Sequence, residues 1–151
     1  MKRPVRHRFV EPLLALVAAC ALSSCGIGFN RDWNAAKSAP HDELSGAWEG
    51  SWHSEATGHK GKLKAIISKP DPAHPKDRTV RYWASWKTVL RATFATQHTF
   101  TPQGQHYLLT GYHQMPGWVG GQYTYGGTAT SSEFKATYRS SLDHGTFEMR
   151  R

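Results

Sequence analysis

At 151 residues, 38% hydrophobic and 20% charged, the chain has room for one domain and the composition of a globular protein. Its two cysteines, Cys20 and Cys25, both fall within the first 25 positions. A chain cut just before Cys25 therefore has no internal disulfide and must be stable by packing alone, which the six tryptophans make feasible. The formal charge of +8 includes Lys2, Arg3, Arg6 and Arg8. Without the first 24 residues it falls to +5, with 15 basic and 10 acidic residues.

The N-terminal stretch MKRPVRHR is basic, and Leu13 to Leu22 form a ten-residue apolar run. That run is too short for a transmembrane helix, which needs roughly 20 residues, and it fits the core of a signal peptide. Leu22-Ser23-Ser24-Cys25 closely resembles the bacterial lipobox. The resemblance implies lipid on the Cys25 thiol, cleavage before that residue, and a membrane-anchored mature protein. Gly26 in the next position, by analogy with enteric lipoproteins, implies the outer membrane if the cell has two membranes. Otherwise the protein would sit on the outer face of the cell membrane. The competing reading is an ordinary signal peptide cut at the small-x-small site Ala19-x-Ala21. Residues 1–24 are thus expected as signal peptide and 25–44 as a lipidated tether. Asp32 there could cap a short, marginal helix.

From residue 45 the pattern has period two. Trp48 and Trp52 alternate with Glu49, Ser51 and His53. Leu63, Ala65 and Ile67 alternate with Lys62 and Lys64, and Val80, Tyr82, Ala84 and Trp86 with Arg81, Ser85 and Lys87. Ile66 and Trp83 break the rule. Such alternation marks half-buried strands, expected at 46–53, 61–68, 79–87, 89–100, 105–113, 118–128, 133–140 and 145–151. Residues 79–100 could equally form one bent strand. Pro70, Pro72 and Pro75 place a loop before Arg78, Pro102-Gln103-Gly104 suits a hairpin turn, and Met115-Pro116-Gly117 suits a type II turn with Gly117 at positive φ. Gly120-Gly121 and Gly126-Gly127 read as bends within a curving strand.

Strands with short links pair in an antiparallel meander, and closing the meander removes its exposed edges. The expected fold is all-β: about eight antiparallel strands over residues 45–151 in a closed or nearly closed barrel, with a two-sheet sandwich as the alternative. Gly46-Ala47-Trp48 is similar to the Gly-x-Trp opening of lipocalins and other calycins. That resemblance implies a Trp closing one barrel end against a basic residue from the last strand, here Arg139, Arg150 or Arg151. The further lipocalin loop motifs and disulfides are missing. The run Asp143 to Arg150 resembles, more loosely, the tail of small uncharacterised bacterial envelope proteins.

Motifs for chemistry are sparse. Eight histidines follow residue 25 without a metal-ligand spacing, although His98 and His106 flank the Pro102 turn and could face each other. No Gly-x-Ser-x-Gly elbow occurs, and the strand carboxylates take the outward parity. These observations argue against an enzyme and call for no cofactor or metal. Interleaved Arg81, Trp83, Lys87 and Arg91 superficially suit nucleic acid, but a lipoprotein seldom meets it; the row could instead face a membrane with Trp83 at headgroup level.

The leading expectation is a membrane-anchored, non-catalytic binding module for a small apolar ligand. Trp48, Trp52, Tyr82, Trp86, Phe94, Tyr107, Phe134 and Tyr138 are its candidate pocket residues, or else simply its core. The alternative is an envelope structural or assembly protein. It would act on anionic lipid or a protein partner through a basic surface at residues 60–91, with Lys62, Lys64, Arg81, Lys87 and Arg91 as candidates. Those cations could equally be the solvated face of the strands.

Overall fold

The computed structural model of the chain describes residues 28–87 and 90–151. The expected signal peptide, its two candidate cleavage sites and Cys25 lie outside the described residues. Eight strands follow one another: β1 (Gly46–Ser54), β2 (Lys60–Ile67), β3 (Asp77–Trp86), β4 (Leu90–Gln103), β5 (His106–Gln114), β6 (Gln122–Ala129), β7 (Glu133–Arg139) and β8 (His144–Arg150). Each pairs antiparallel with the next, and β1 also pairs with β8, matching Gly50 to Met149 and Trp52 to Phe147. The sheet is therefore a closed barrel and not a sandwich. Closure gives every strand two partners and leaves no edge for another chain to extend.

Residues 79–100 are two strands, paired from Asp77↔Thr99 to Trp86↔Leu90. The expected strand at 118–128 begins four residues late. Gly117–Val119 is instead a short 3-10 turn, and the positive φ values fall on Gly120 (114°) and Gly121 (67°), not on Gly117. Met115 donates its N–H to the Gly121 carbonyl across this reversal. Gly120-Gly121 thus makes the turn itself, since only glycine adopts those angles without a Cβ clash. Gly126-Gly127 lies within β6, as expected.

The inward-facing side chains fill one end of the barrel. Trp48 and Phe134 are fully buried there, ring centroids 6.3 Å apart, among Leu63, Ile67, Val80, Phe100, Leu109 and Met149. Residues 41–45 fold over this closed end, with Leu44 fully buried as a plug whose carbonyl accepts the Trp48 indole N–H at 2.8 Å. Of the three basic candidates for the closing contact, Arg151 fills the role. Its guanidinium lies 4.7 Å from the Trp48 ring and donates to the carbonyls of Ser45 (2.6 Å), Ser131 (2.7 Å) and Glu43. Arg150 points outward to Glu133, and exposed Arg139 belongs to the other half of the barrel. A second buried link ties the flap down: Arg78 donates to both carboxylate oxygens of Asp42 at 3.0 Å. Burial works against the Asp42 anion. The amides of Ser45 and Leu44 and the Arg78 cation outweigh it, holding the pKa near about 2.

The residues expected as a tether contain a helix, α1, spanning residues 28–38 and packed on the outside of the barrel. Phe29, Trp33 and Ala36 occur at i, i+4 and i+7, so they share one helix face. Phe29 and Trp33 are buried against Trp83, with Ala47 and Ile66 beside them, and Trp33 donates its indole N–H to the Trp48 carbonyl at 3.1 Å. This docking explains both breaks in the strand alternation. Trp83 and Ile66 point outward, yet they meet a helix and not solvent. Trp83, only 8% exposed, is thus not at a membrane headgroup. A helix this short is marginal alone, so its stability comes from that contact. Asp32 sits within the helix and does not cap it.

Trp33→Ala should lower unfolding stability by about 3 kcal/mol. In urea titrations the midpoint would fall, with barrel circular dichroism retained below the transition. An unchanged midpoint would show that α1 is not docked.

Candidate functional site

The opposite end of the barrel is open. A cavity of about 440 Å³ enters there, walled by Trp52, Trp86, Phe94, Tyr125, Tyr138 and Phe147, with Met115, Val119 and Leu142 toward its mouth. Strand parity alone places these rings inward, but their distance along the barrel decides which of them meet the space. Trp52 and Trp86 stand edge to face, 6.3 Å between centroids, on either side of Gly61 in β2.

Beneath the cavity lies a layer of closely packed rings. Tyr82, fully buried, stacks on Phe94 at 5.0 Å and tilts against Phe147 at 5.5 Å. His98 sits beside it, 5.1 Å from Tyr125 and 6.3 Å from Phe100. The geometry leaves the closed half full and the open half empty.

The eight aromatic candidates therefore divide. Trp52, Trp86, Phe94 and Tyr138 line the cavity, and Tyr82 lies directly under it. Trp48 and Phe134 are closed-end core. Tyr107 packs on that end too, donating its hydroxyl to Glu43 at 2.6 Å. The other cavity residues, notably Tyr123, Tyr125 and Phe147, share the inward parity of their strands. What separates wall from core is their level along the barrel axis, which the register of the whole sheet sets.

The polar tips of the wall are mostly engaged with protein. Trp52 donates its indole N–H to the Ser85 carbonyl at 3.0 Å, and Tyr123 its hydroxyl to the Val119 carbonyl at 2.9 Å. Asp143 brings a carboxylate to the mouth, but Ser54 donates to one oxygen at 2.6 Å and Tyr138 to the other at 3.1 Å. Thr57 donates in turn to Ser54 at 2.8 Å. This chain joins β1 to the β7–β8 turn. Burial, with Asp143 adding to it, holds the Tyr138 phenol in its protonated form. His59 and His113 bring imidazoles to the lining as well.

His98 does not face His106. It pairs across the ladder with Gly111, and His106 with Gln103. A side chain at 111 would start 2.2 Å from the His98 Nδ1, so glycine there makes room for the imidazole. The Tyr82 hydroxyl, kept protonated by burial, shares a hydrogen bond with Nε2 at 3.1 Å. The Thr110 carbonyl lies near Nδ1 without forming a full hydrogen bond. Among the described residues no group of His, Cys, Asp or Glu is arranged to hold a metal ion.

The five basic candidates take outward positions on or beside β2, β3 and β4, and α1 divides them. Lys64 is held under α1, its ammonium 4.1 Å from the Trp33 ring, and Arg81 pairs with Asp32 at 2.9 Å. Lys62, Lys87 and Arg91 are exposed. Fold and cavity together define a small antiparallel barrel of lipocalin-like architecture, filled at one end and hollow at the other. Comparison of the chain with protein-family models, curated proteins and solved structures gives no match.

Burial holds the His98 pKa down to about 4, so the folded protein keeps the ring neutral where an unfolded chain protonates it near 6.5. Below pH 6.5 the unfolded state binds the extra proton, and stability falls with pH until the folded pKa is reached. Denaturation series between these limits should show that slope, and His98→Gln should flatten it. An imidazole resonance of His98 titrating near 6.5 would contradict this assignment.

Proposed function

We propose that the protein is a non-catalytic binding module for a small apolar ligand, carried at a membrane by lipid on Cys25. One observation carries the binding reading: a cavity of about 440 Å³ walled largely by aromatic rings, with the polar tips of Trp52, Tyr123 and Tyr138 bonded to protein. A pocket of this size and lining suits a small hydrophobe and offers few fixed donors to a polar one. The closed half supports the same reading, since Trp48, Phe134 and Leu44 already supply a core and the open half is free for a guest. The Leu22-Ser23-Ser24-Cys25 motif supports the anchor. In a two-membrane cell the expected location is the outer membrane, and otherwise the outer face of the cell membrane.

Native mass spectrometry after mild extraction should reveal a bound small molecule. Ligands from a hydrophobe panel should raise the melting temperature, stabilising by about 2.7 kcal/mol at a hundredfold excess over Kd. Ala84→Trp, which fills the cavity, should abolish that gain while the barrel still folds. A protein that arrives empty and gains nothing from the panel defeats the reading.

The anchor is tested separately. Cys25→Ser should block incorporation of labelled palmitate and leave the chain unprocessed or released from membranes. A parent chain that takes up no palmitate would remove the lipid from this account.

A further inference from the structure

We propose that the open end of the barrel is a bilayer-docking face, seated on anionic phospholipid with the cavity mouth turned toward the membrane. Three large apolar side chains are exposed at that end: Leu90 (45%), Trp118 (82%) and Leu142 (60%). They come from three separate connections, the start of β4, the 3-10 turn between β5 and β6, and the β7–β8 turn. Single exposed hydrophobics are ordinary, but three at the tips of one rim, with the most exposed a tryptophan, match a membrane interface. The closed end carries Leu108 instead, 37% exposed.

Charge agrees. Lys87 and Arg91 flank Leu90, exposed and without an ion pair among the described residues. Of the acids nearest the mouth, Asp143 is turned toward the hydroxyls of Ser54 and Tyr138, and Glu55 lies 3.7 Å from the His144 imidazole. The rim thus offers cations behind apolar tips, which complements lipid phosphates above acyl chains.

The course of α1 supplies a third line, and this one rests on the lipid reading of Cys25. Ala36 lies beside Gly46 at the closed end, whereas Phe29 packs on Trp83. Carried across each ladder in turn from Trp48, the register returns to β1 beyond Ser54. Crossing from β1 toward β3 therefore climbs toward the open end, and Trp83 stands nearer the mouth than Gly46. The chain enters α1 from the open-end side. Cys25, three residues before Gly28, lies within about 11 Å of it. Lipid on that thiol would hold the protein by the end that carries the apolar rim. An apolar guest could then pass between acyl chains and cavity without crossing water.

Spin labels on the full chain in phosphatidylcholine–phosphatidylglycerol vesicles test this orientation. A nitroxide at Trp118→Cys should collide more with oxygen, which partitions into the bilayer, than with a water-soluble nickel complex. The opposite order is expected at Leu108→Cys. Adding Leu90→Asp and Leu142→Asp to the first variant should return its label to water, with about a tenfold or greater loss of the oxygen-to-nickel preference. A label at 118 that stays aqueous, or one at 108 that enters the bilayer, overturns the proposal. So does dipolar broadening at 118, which would assign the face to a second copy of this chain. The parent chain serves as control: a label on Cys25 would show that the thiol is unacylated, a failure of the anchor reading that the rim result neither causes nor hides.

Discussion

The pairing of β8 back onto β1 is the constraint on which the rest of the structure depends. Once the sheet closes, each backbone finds partners on both sides and the girth of the barrel is set. Interior side chains can then no longer relax outward to suit their own size. Space must be filled where large rings meet and left open where they do not. Trp48, Phe134 and Leu44 fill one end, with the Arg151 guanidinium laid over the Trp48 ring. At the other end Gly61, Ala84 and Ala92 face inward among the rings, and a cavity opens.

The two ends consequently do different physical work. At the closed end the hydrogen bonds are spent on sealing: Trp48 to Leu44, Arg151 to four carbonyls, Arg78 to Asp42. The Trp48 indole and the Arg78 terminal nitrogen are paired there because a buried donor without a partner is costly. At the open end the hydrogen bonds draw polar atoms away from the space they surround, through Ser85, Val119 and the Ser54–Asp143–Tyr138 chain. The same side chains that fasten the strands thereby present ring faces to a guest. Between the ends, the Tyr82–His98 pair forms a polar contact inside an apolar layer, kept neutral by its surroundings.

Much of the barrel was legible because a strand's side chains alternate strictly, and the turn residues stand where the alternation stops. The helix was not. Phe29, Trp33 and Ala36 do share a helical face, but eleven residues carry too weak a periodicity to stand out from a polar, glycine-flanked stretch. The signal was split between two places, the stripe on α1 and the misplaced Ile66 and Trp83 on β2 and β3, and only contact joins them. The same helix divides the basic row: Lys64 and Arg81 are drawn to Trp33 and Asp32, while Lys62, Lys87 and Arg91 stay exposed. Pro116-Gly117 is a strong turn pair in the sequence, yet the chain reverses on Gly120-Gly121 a few residues later.

By itself the sequence determined that this is an antiparallel all-β domain, since a period of two and short polar connections permit little else, and it offered Gly46-Ala47-Trp48 as the start of the first strand. Tertiary structure decided which of the inward rings are core and which are wall. That division depends on height along the barrel axis, and height follows from the stagger accumulated over eight ladders, a sum that no local stretch of residues contains. It also decided that Arg151 and not a neighbour closes the end, because only closure brings the last residue of the chain over the first tryptophan of the sheet.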